Sequence, residues 1–161
     1  MKNLNVPVTA LLIALSVLVA GPIRAQETQS CKIQILSPQK GDKVGAGGAI
    51  RGTASVPAGM YLWVFARKEG QRNWWPQGGG AAEVKTSSWV VDGVYGDENN
   101  PQKDAGASFE ITGVVVDEEA NAKLASYVET TNKTGRYPGT QLPPASKGGC
   151  SLKENLIVQR Q

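Results

Sequence analysis

Apolar and polar residues alternate with period two through much of this chain, and each alternating run ends at glycine, proline or short polar residues. That pattern predicts half-buried strands separated by turns. Cys31 to Ser37 (CKIQILS) places Ile33 and Ile35 on one face and Lys32, Gln34 and Leu36 on the other. Pro38 to Gly48 is dense in glycine and reads as turn, and Ala49 to Ser55 (AIRGTAS) as a second strand. Met60 to Arg67 (MYLWVFAR) is apolar on both faces, with Tyr61, Trp63 and Phe65 on one side and Leu62, Val64 and Ala66 on the other. Such a strand is central, or lies under a cover on its second side. Asn73 to Gln77 (NWWPQ) returns as a short edge segment, because Pro76 has no N–H to give a ladder.

Ser87 to Val91 and Ala107 to Asp117 supply two further strands. In the latter Phe109, Ile111, Gly113 and Val115 oppose Thr112, Val114 and Val116, and Gly113 marks a bulge or a close approach. Between the two runs, Tyr95 to Gly106 is a polar connection. From Glu118 to Thr130 the period changes. Ala120, Leu124, Tyr127 and Val128 fall at helical spacing behind Asp117, a suitable N-cap. One short helix is expected there, packed across an end of the sheets. The stretch 131–149 is rich in glycine, proline and serine and reads as a flexible loop, and Leu156 to Val158 closes the domain as a last strand. The fold class expected is mainly β, an antiparallel β-sandwich with one helix inserted before the final strand.

The first 25 residues stand apart. Lys2 precedes an apolar run from Ala10 to Ala20, Gly21 and Pro22 break it, and Ala25 offers a small residue for cleavage. This is the layout of a secretory signal peptide, with an apolar run too short for a comfortable membrane span. Cleavage leaves about 136 of the 161 residues, enough for a single domain running from 26 to 161 in the periplasm or outside the cell. It also removes Lys2 and Arg24, so fifteen basic residues face 14 acidic ones and the net charge falls from +3 to +1. With neither a basic cluster nor a later apolar run of membrane length, nucleic acid is not an expected partner and no span is expected after cleavage.

Cys31 and Cys150 are the two cysteines and flank nearly the whole domain. In an oxidising compartment they are expected to form one disulfide, worth roughly 4–5 kcal/mol by the chain-entropy argument. There is no histidine, which removes the usual Ser-His-Asp and Cys-His catalysis and the commonest zinc ligand.

Several stretches together resemble bacterial immunoglobulin-like domains of secreted proteins. These are Ile35-Leu36-Ser37-Pro38 before a glycine-rich turn, Arg51-Gly52-Thr53-Ala54, and Gly59-Met60-Tyr61-Leu62-Trp63-Val64. Trp74-Trp75-Pro76-Gln77-Gly78-Gly79 and Phe109-Glu110-Ile111 through Asp117 extend the likeness, which covers Ile33 to about Tyr127 and the last strand. The resemblance implies an immunoglobulin-like sandwich in envelope or surface proteins and brings no catalytic residues with it. The cysteines depart from the antibody pattern, since they bracket the domain instead of joining its two central strands.

Three constellations carry possible chemistry. Tyr61, Trp63, Trp74, Trp75 and Trp89 either pack the core or offer a stacking surface. Trp74 and Trp75 are adjacent in an extended segment and so point to opposite faces, which predicts that one is exposed. The candidate binding surface is therefore Trp74, Trp75, Gln77, Tyr61 and Arg72. Asp97, Glu98, Asn99, Asn100 and Asp104 begin like a calcium loop, but Pro101 follows and the glycine and terminal glutamate of such loops are missing, so a solvated loop is the reading. Asp117, Glu118 and Glu119 could in principle form a carboxylate pair for glycoside hydrolysis, yet a helix start favours acidic residues on electrostatic grounds alone. Asn132-Lys133-Thr134 fits a glycosylation acceptor, a modification not expected in a bacterial setting. These readings converge on a binding module without enzymatic activity, cofactor or metal. The expected partner is another envelope or surface protein, or else a glycan held on exposed tryptophan.

Overall fold

The computed structural model describes residues 30–97 and 99–161. The expected leader at 1–25 lies outside the described residues. The described residues are mainly β, with eight strands in two sheets and one α-helix. The strands are β1 (Lys32–Ser37), β2 (Lys43–Val44), β3 (Gly47–Ser55), β4 (Tyr61–Lys68), β5 (Trp75–Pro76), β6 (Ser88–Val94), β7 (Ser108–Val116) and β8 (Leu156–Arg160). One sheet has the order β1-β3-β6 and the other β2-β8-β7-β4-β5. All pairings are antiparallel except that of β2 with β8. The two-residue β2 sits inside the glycine-rich stretch read as turn, where so short a pairing leaves no periodic signal.

The two sheets pack face to face. Ile50, Ala54, Trp89 and Val91 from the three-stranded sheet meet Leu62, Val64, Ile111, Val115 and Val158 from the other. Ile33 and Ile35 turn toward this core, as their alternation predicts. Two glycines belong to close approaches. A Cβ on Gly52 would collide with the Gln34 carbonyl and the Trp89 ring, so the indole lies flat over β3 there. A Cβ on Gly113 would come within 3.2 Å of Ile33 across the core, and the pairing of β4 with β7 runs through Gly113 in continuous register, so this glycine marks an approach and not a bulge.

The second apolar face of β4 has its cover. Trp63 and Phe65, with Val114 and Val116 of β7, pack under Leu124, Ala120 and Val128 of α1 (Glu118–Thr134). The helix therefore lies on the outer face of the five-stranded sheet, which corrects the expectation that it crosses an end. The doubly apolar β4 requires this placement, since a helix at the sheet ends would leave Trp63 and Phe65 in water. The Trp63 indole N–H donates to Asn121 Oδ1 at 3.0 Å. Asp117 caps the helix start, its carboxylate accepting from Ala120 N at 2.9 Å, and Gly135 ends it in the left-handed conformation at φ 65°. No helix among the described residues is long and apolar enough to cross a membrane.

Cys31 and Cys150 are bridged, with Cα atoms 5.7 Å apart. Cys150 is not in β8. Its carbonyl accepts from Val115 N at 2.7 Å, and Leu152 N donates to Gly113 O at 2.8 Å. The stretch 150–152 therefore runs beside the second half of β7, as β8 runs beside the first. The disulfide thus ties the start of β1 in one sheet to the edge of β7 in the other.

Candidate functional site

The aromatic candidates divide between core and surface. Trp74 is 4% exposed, packed with Trp63 and Phe65 on the helix side. The Arg67 guanidinium lies 4.2 Å from its ring centroid. Arg67 also grips Glu110 through Nε and Nη2, at 2.9 and 3.0 Å, and Asn155 donates to the same carboxylate at 2.7 Å. Burial raises the Glu110 pKa, but the hydrogen bonds from Arg67 and Asn155 outweigh it and hold the carboxyl below its ordinary value. Trp74 therefore belongs to an internal stack of indole, guanidinium and carboxylate, which removes it from the predicted surface.

Gln77 is also withdrawn, at 4% exposed. Its Nε2 donates to Trp75 O and its Oε1 accepts from Val94 N, each at 2.7 Å. Gly78 N donates to Asp92 O beside it at 2.9 Å. This turn stitches β5 to the outer edge of β6 and so joins the two sheets along one side. A buried amide with both ends engaged is a structural clamp, and that corrects its assignment to the binding surface.

Trp75, Arg72 and Tyr61 remain reachable, but they do not form one site. Tyr61 sits five positions from Ala66, the partner of Trp75 on β4, which is about 17 Å along an extended strand. It is half-buried beside the start of α1, where a hydrogen bond to the Glu118 carboxylate raises its phenol above the ordinary value. Trp75 is half-buried and Arg72 exposed at the β4–β5 turn.

A segment read only as a flexible loop completes this corner. The helix takes residues 131–134 of it. Residues 137–141 run beside the 73–75 segment that leads into β5, while the Ser146 hydroxyl accepts from Asp117 N at 2.9 Å at the start of the helix. Trp74 and Thr140 exchange both backbone hydrogen bonds at 2.8 Å. The Trp75 indole donates to Tyr137 O at 2.9 Å, and Asn73 Nδ2 donates to Pro138 O at 3.0 Å. Gly139, at φ 75°, lies against the Trp75 ring, where a Cβ would come within 3.0 Å of it. Tyr137 emerges from this ledge 55% exposed. Trp75, Tyr137, Arg72 and the exposed Arg136 therefore share one corner of the five-stranded sheet. Sequence reasoning passed over Tyr137. The one signal for it was the Tyr-Pro-Gly step just past the helix-ending Gly135.

The acidic candidates are absorbed by the fold. Asp97 Oδ1 accepts from Asn99 N and Asn100 N at 3.1 and 3.2 Å. Asp104 pairs with Lys68 at 3.0 Å and accepts from Asp97 N at 3.0 Å, and the Lys68 hydrogen bond leads in lowering its pKa. Glu98 lies outside the described residues. Asp117 caps the helix, Glu118 meets Tyr61, and Glu119 pairs with Lys123 at 2.7 Å. Asn132, Lys133 and Thr134 form the last helical turn. Among the described residues no three acidic, cysteine or histidine side chains gather as a metal site. A cleft of about 420 Å³ at one end of the sheets is walled by Ala54, Val56, Met60, Leu62, Ala82 and Val84 and bears no charged group. No known protein-family model matches this chain, and no curated protein matches it.

Proposed function

We propose that the chain is an exported, non-enzymatic interaction module with an immunoglobulin-like sandwich, whose β5 corner docks on another envelope or surface protein. The strand order supports the fold reading. If β1 to β8 are taken as A, A′, B, C, C′, E, F and G, the sheets hold A-B-E and A′-G-F-C-C′, the partition of that fold. The functional reading is carried by one observation: Trp75, Tyr137, Arg72 and Arg136 are displayed together on a ledge fixed by the paired hydrogen bonds of Trp74 and Thr140. Tryptophan, tyrosine and arginine are the residue types that dominate binding energy at protein interfaces. A contact surface already held in place spends little ordering entropy on binding.

The test is cross-linked capture from native envelope extract with the wild-type chain and with Arg72→Glu plus Tyr137→Glu, two exposed positions whose change leaves the core intact. A discrete partner recovered by wild type and lost by the variant is the expected result. Equal recovery by both, or none by wild type, overturns the reading. A glycan ligand is the second reading. It is favoured by the exposed Tyr137 ring, whose hydroxyl donates to Asn132 Oδ1 at 3.1 Å, on a ledge that also carries the amides of Asn73 and Gln141, hydrogen-bonded to each other at 3.3 Å. Because Trp63, Trp74 and Trp89 are 0–4% exposed, a fluorescence change on titration with peptidoglycan fragments or polysaccharides would report Trp75. A flat response across the panel removes the glycan.

A further inference from the structure

Among the described residues, nothing covers the outer face of the three-stranded sheet as α1 covers the other sheet. Burial alternates along β6, so Ser88, Val90, Asp92 and Val94 point outward while Trp89 and Val91 enter the core. On β3 the outward positions Gly47, Ala49 and Thr53 are small around Arg51, and Leu36 projects from the irregularity in β1. Val90 is 53% exposed, Leu36 48% and Val94 39%, so three of the four exposed large hydrophobic side chains among the described residues lie on this sheet. Arg51 is opposite Val90, and Asp92 is opposite Ala49, one step along and one strand across. Both are exposed, and neither carries an ion pair or side-chain hydrogen bond among the described residues.

We propose that this face pairs two copies of the chain about a two-fold axis. The charges select the occupant. A two-fold lying between Arg51 and Asp92 exchanges them, so each Arg51 meets the partner's Asp92 and the pair forms twice per dimer. A partner of one charge sign would satisfy one of the two groups and repel the other. Val90, Val94 and Leu36 supply the apolar part, and the small β3 side chains allow the sheets to approach to the usual ~10 Å. The exported chain has a net charge of only +1, so copies do not repel strongly. Three strands of up to nine residues cover roughly 400–600 Å² per copy, below the ~800 Å² of a standard interface, which places this dimer among the small, transient interfaces. The inference does not rest on the β5 reading. That corner lies at the edge of the other sheet and stays open in the dimer.

Sedimentation velocity on the oxidised chain from about 5 µM to about 1 mM tests this by mass action. Wild type is expected to shift from monomer to dimer as concentration rises, and Val90→Lys to remain monomeric. Arg51→Asp or Asp92→Arg alone should weaken the dimer about tenfold or more, and the two together should restore it to within a few-fold of wild type. Thermal melts verify that each variant is folded, which these exposed positions favour. A wild type that stays monomeric to the top concentration overturns the proposal. So does a dimer indifferent to Val90→Lys, or a double swap no better than the single ones. A monomeric chain that still captures a partner through the β5 corner would refute the dimer and leave the proposed function standing.

Discussion

Replacing Cys31 and Cys150 together by serine tests how the domain is closed. The bridge spans 119 residues, and the chain-entropy relation for such a loop gives about 5 kcal/mol lost from the reduced chain at 25 °C. A domain of this size unfolds with an entropy of about 0.3 kcal/mol/K, so the melting temperature should fall by about 7–17 °C, the lower end allowing for the measured range of such removals. The location of the bridge sharpens the expectation. Cys150 lies beside β7, where Val115 N and Leu152 N make hydrogen bonds of 2.7 and 2.8 Å to and from the 150–152 stretch. If the disulfide acts mainly through the unfolded chain, far-ultraviolet circular dichroism of the folded variant should match wild type. Amide exchange at Val115 and Leu152 should then accelerate only as far as global stability falls. A melting temperature lowered by less than about 4 °C, or an altered native spectrum, would refute this account. So would two thiols reactive to Ellman reagent in the folded wild type purified without reductant.

Other perturbations read out different parts of the same structure. Gly52→Ala sets a methyl against the Gln34 carbonyl and the Trp89 ring, and should destabilise by about 2–4 kcal/mol in urea titration; a loss under about 1 kcal/mol would mean that Trp89 does not lie flat on β3. Thr86 and Ser87 close the turn between Lys85 and Ser88 with φ of 47° and 71°, a left-handed pair that Asn-Gly fits better, so Thr86→Asn with Ser87→Gly should add about 1–2 kcal/mol; no gain would place the turn in another conformation. The Tyr95 hydroxyl is buried without a hydrogen-bond partner among the described residues, so Tyr95→Phe should raise stability by about 1 kcal/mol. Burial also pushes the Tyr95 pKa up to about 12, above the ordinary value of 10. Below that ordinary value the folded and unfolded chains hold the same phenolic proton. Between pH 10 and 12 only the folded chain keeps it, so wild-type stability declines through this window by a term that Tyr95→Phe lacks. Parallel alkaline denaturation curves for the two proteins would show that the phenol is not buried.

Period-two patterning made most of the strands legible before any coordinates. Ile33 and Ile35, the two faces of β4 and the two faces of β7 all point as their alternation predicts, because a pleated strand leaves each side chain only two directions. The Asp117 cap was legible for the same local reason, being a contact within three residues of the helix start. What escaped depends on distant partners. Two adjacent tryptophans must face opposite ways, but which one is covered was decided by Arg67 on β4 and by α1, not by their own sequence. Gln77 is a polar residue of the kind usually found at the surface, and its burial follows from two needs, an acceptor for the distant Val94 N on β6 and a donor for Trp75 O on β5. The stretch after Gly135 has no periodicity because it is held by a few hydrogen bonds to Asn73, Trp74 and Trp75 instead of by a repeating face.

The unequal treatment of the two sheets follows from a few residues and bears on where function can sit. β4 and β7 are apolar on both faces, so the five-stranded sheet requires a second layer, and Leu124, Ala120 and Val128 provide it. The helix, with Trp74 and Leu142, takes up that outer face in stabilisation. What this sheet can still offer a partner is its margin, where the 137–140 ledge reaches past β5 and lifts Tyr137 into solvent. In the three-stranded sheet β6 alternates strictly and β3 does so from Ala49 onward, with Arg51 and Asp92 on outward positions, so this sheet needs no cover in order to fold. Large apolar side chains at Val90 and Val94 are thus not required by the monomer's own packing, and threonine at either would keep the strand while shedding apolar surface. Substituting both by threonine separates the two demands. Monomer stability by urea titration should change by less than about 0.5 kcal/mol, while self-association at high concentration should be lost. A large fall in monomer stability would mean that these valines serve the core after all.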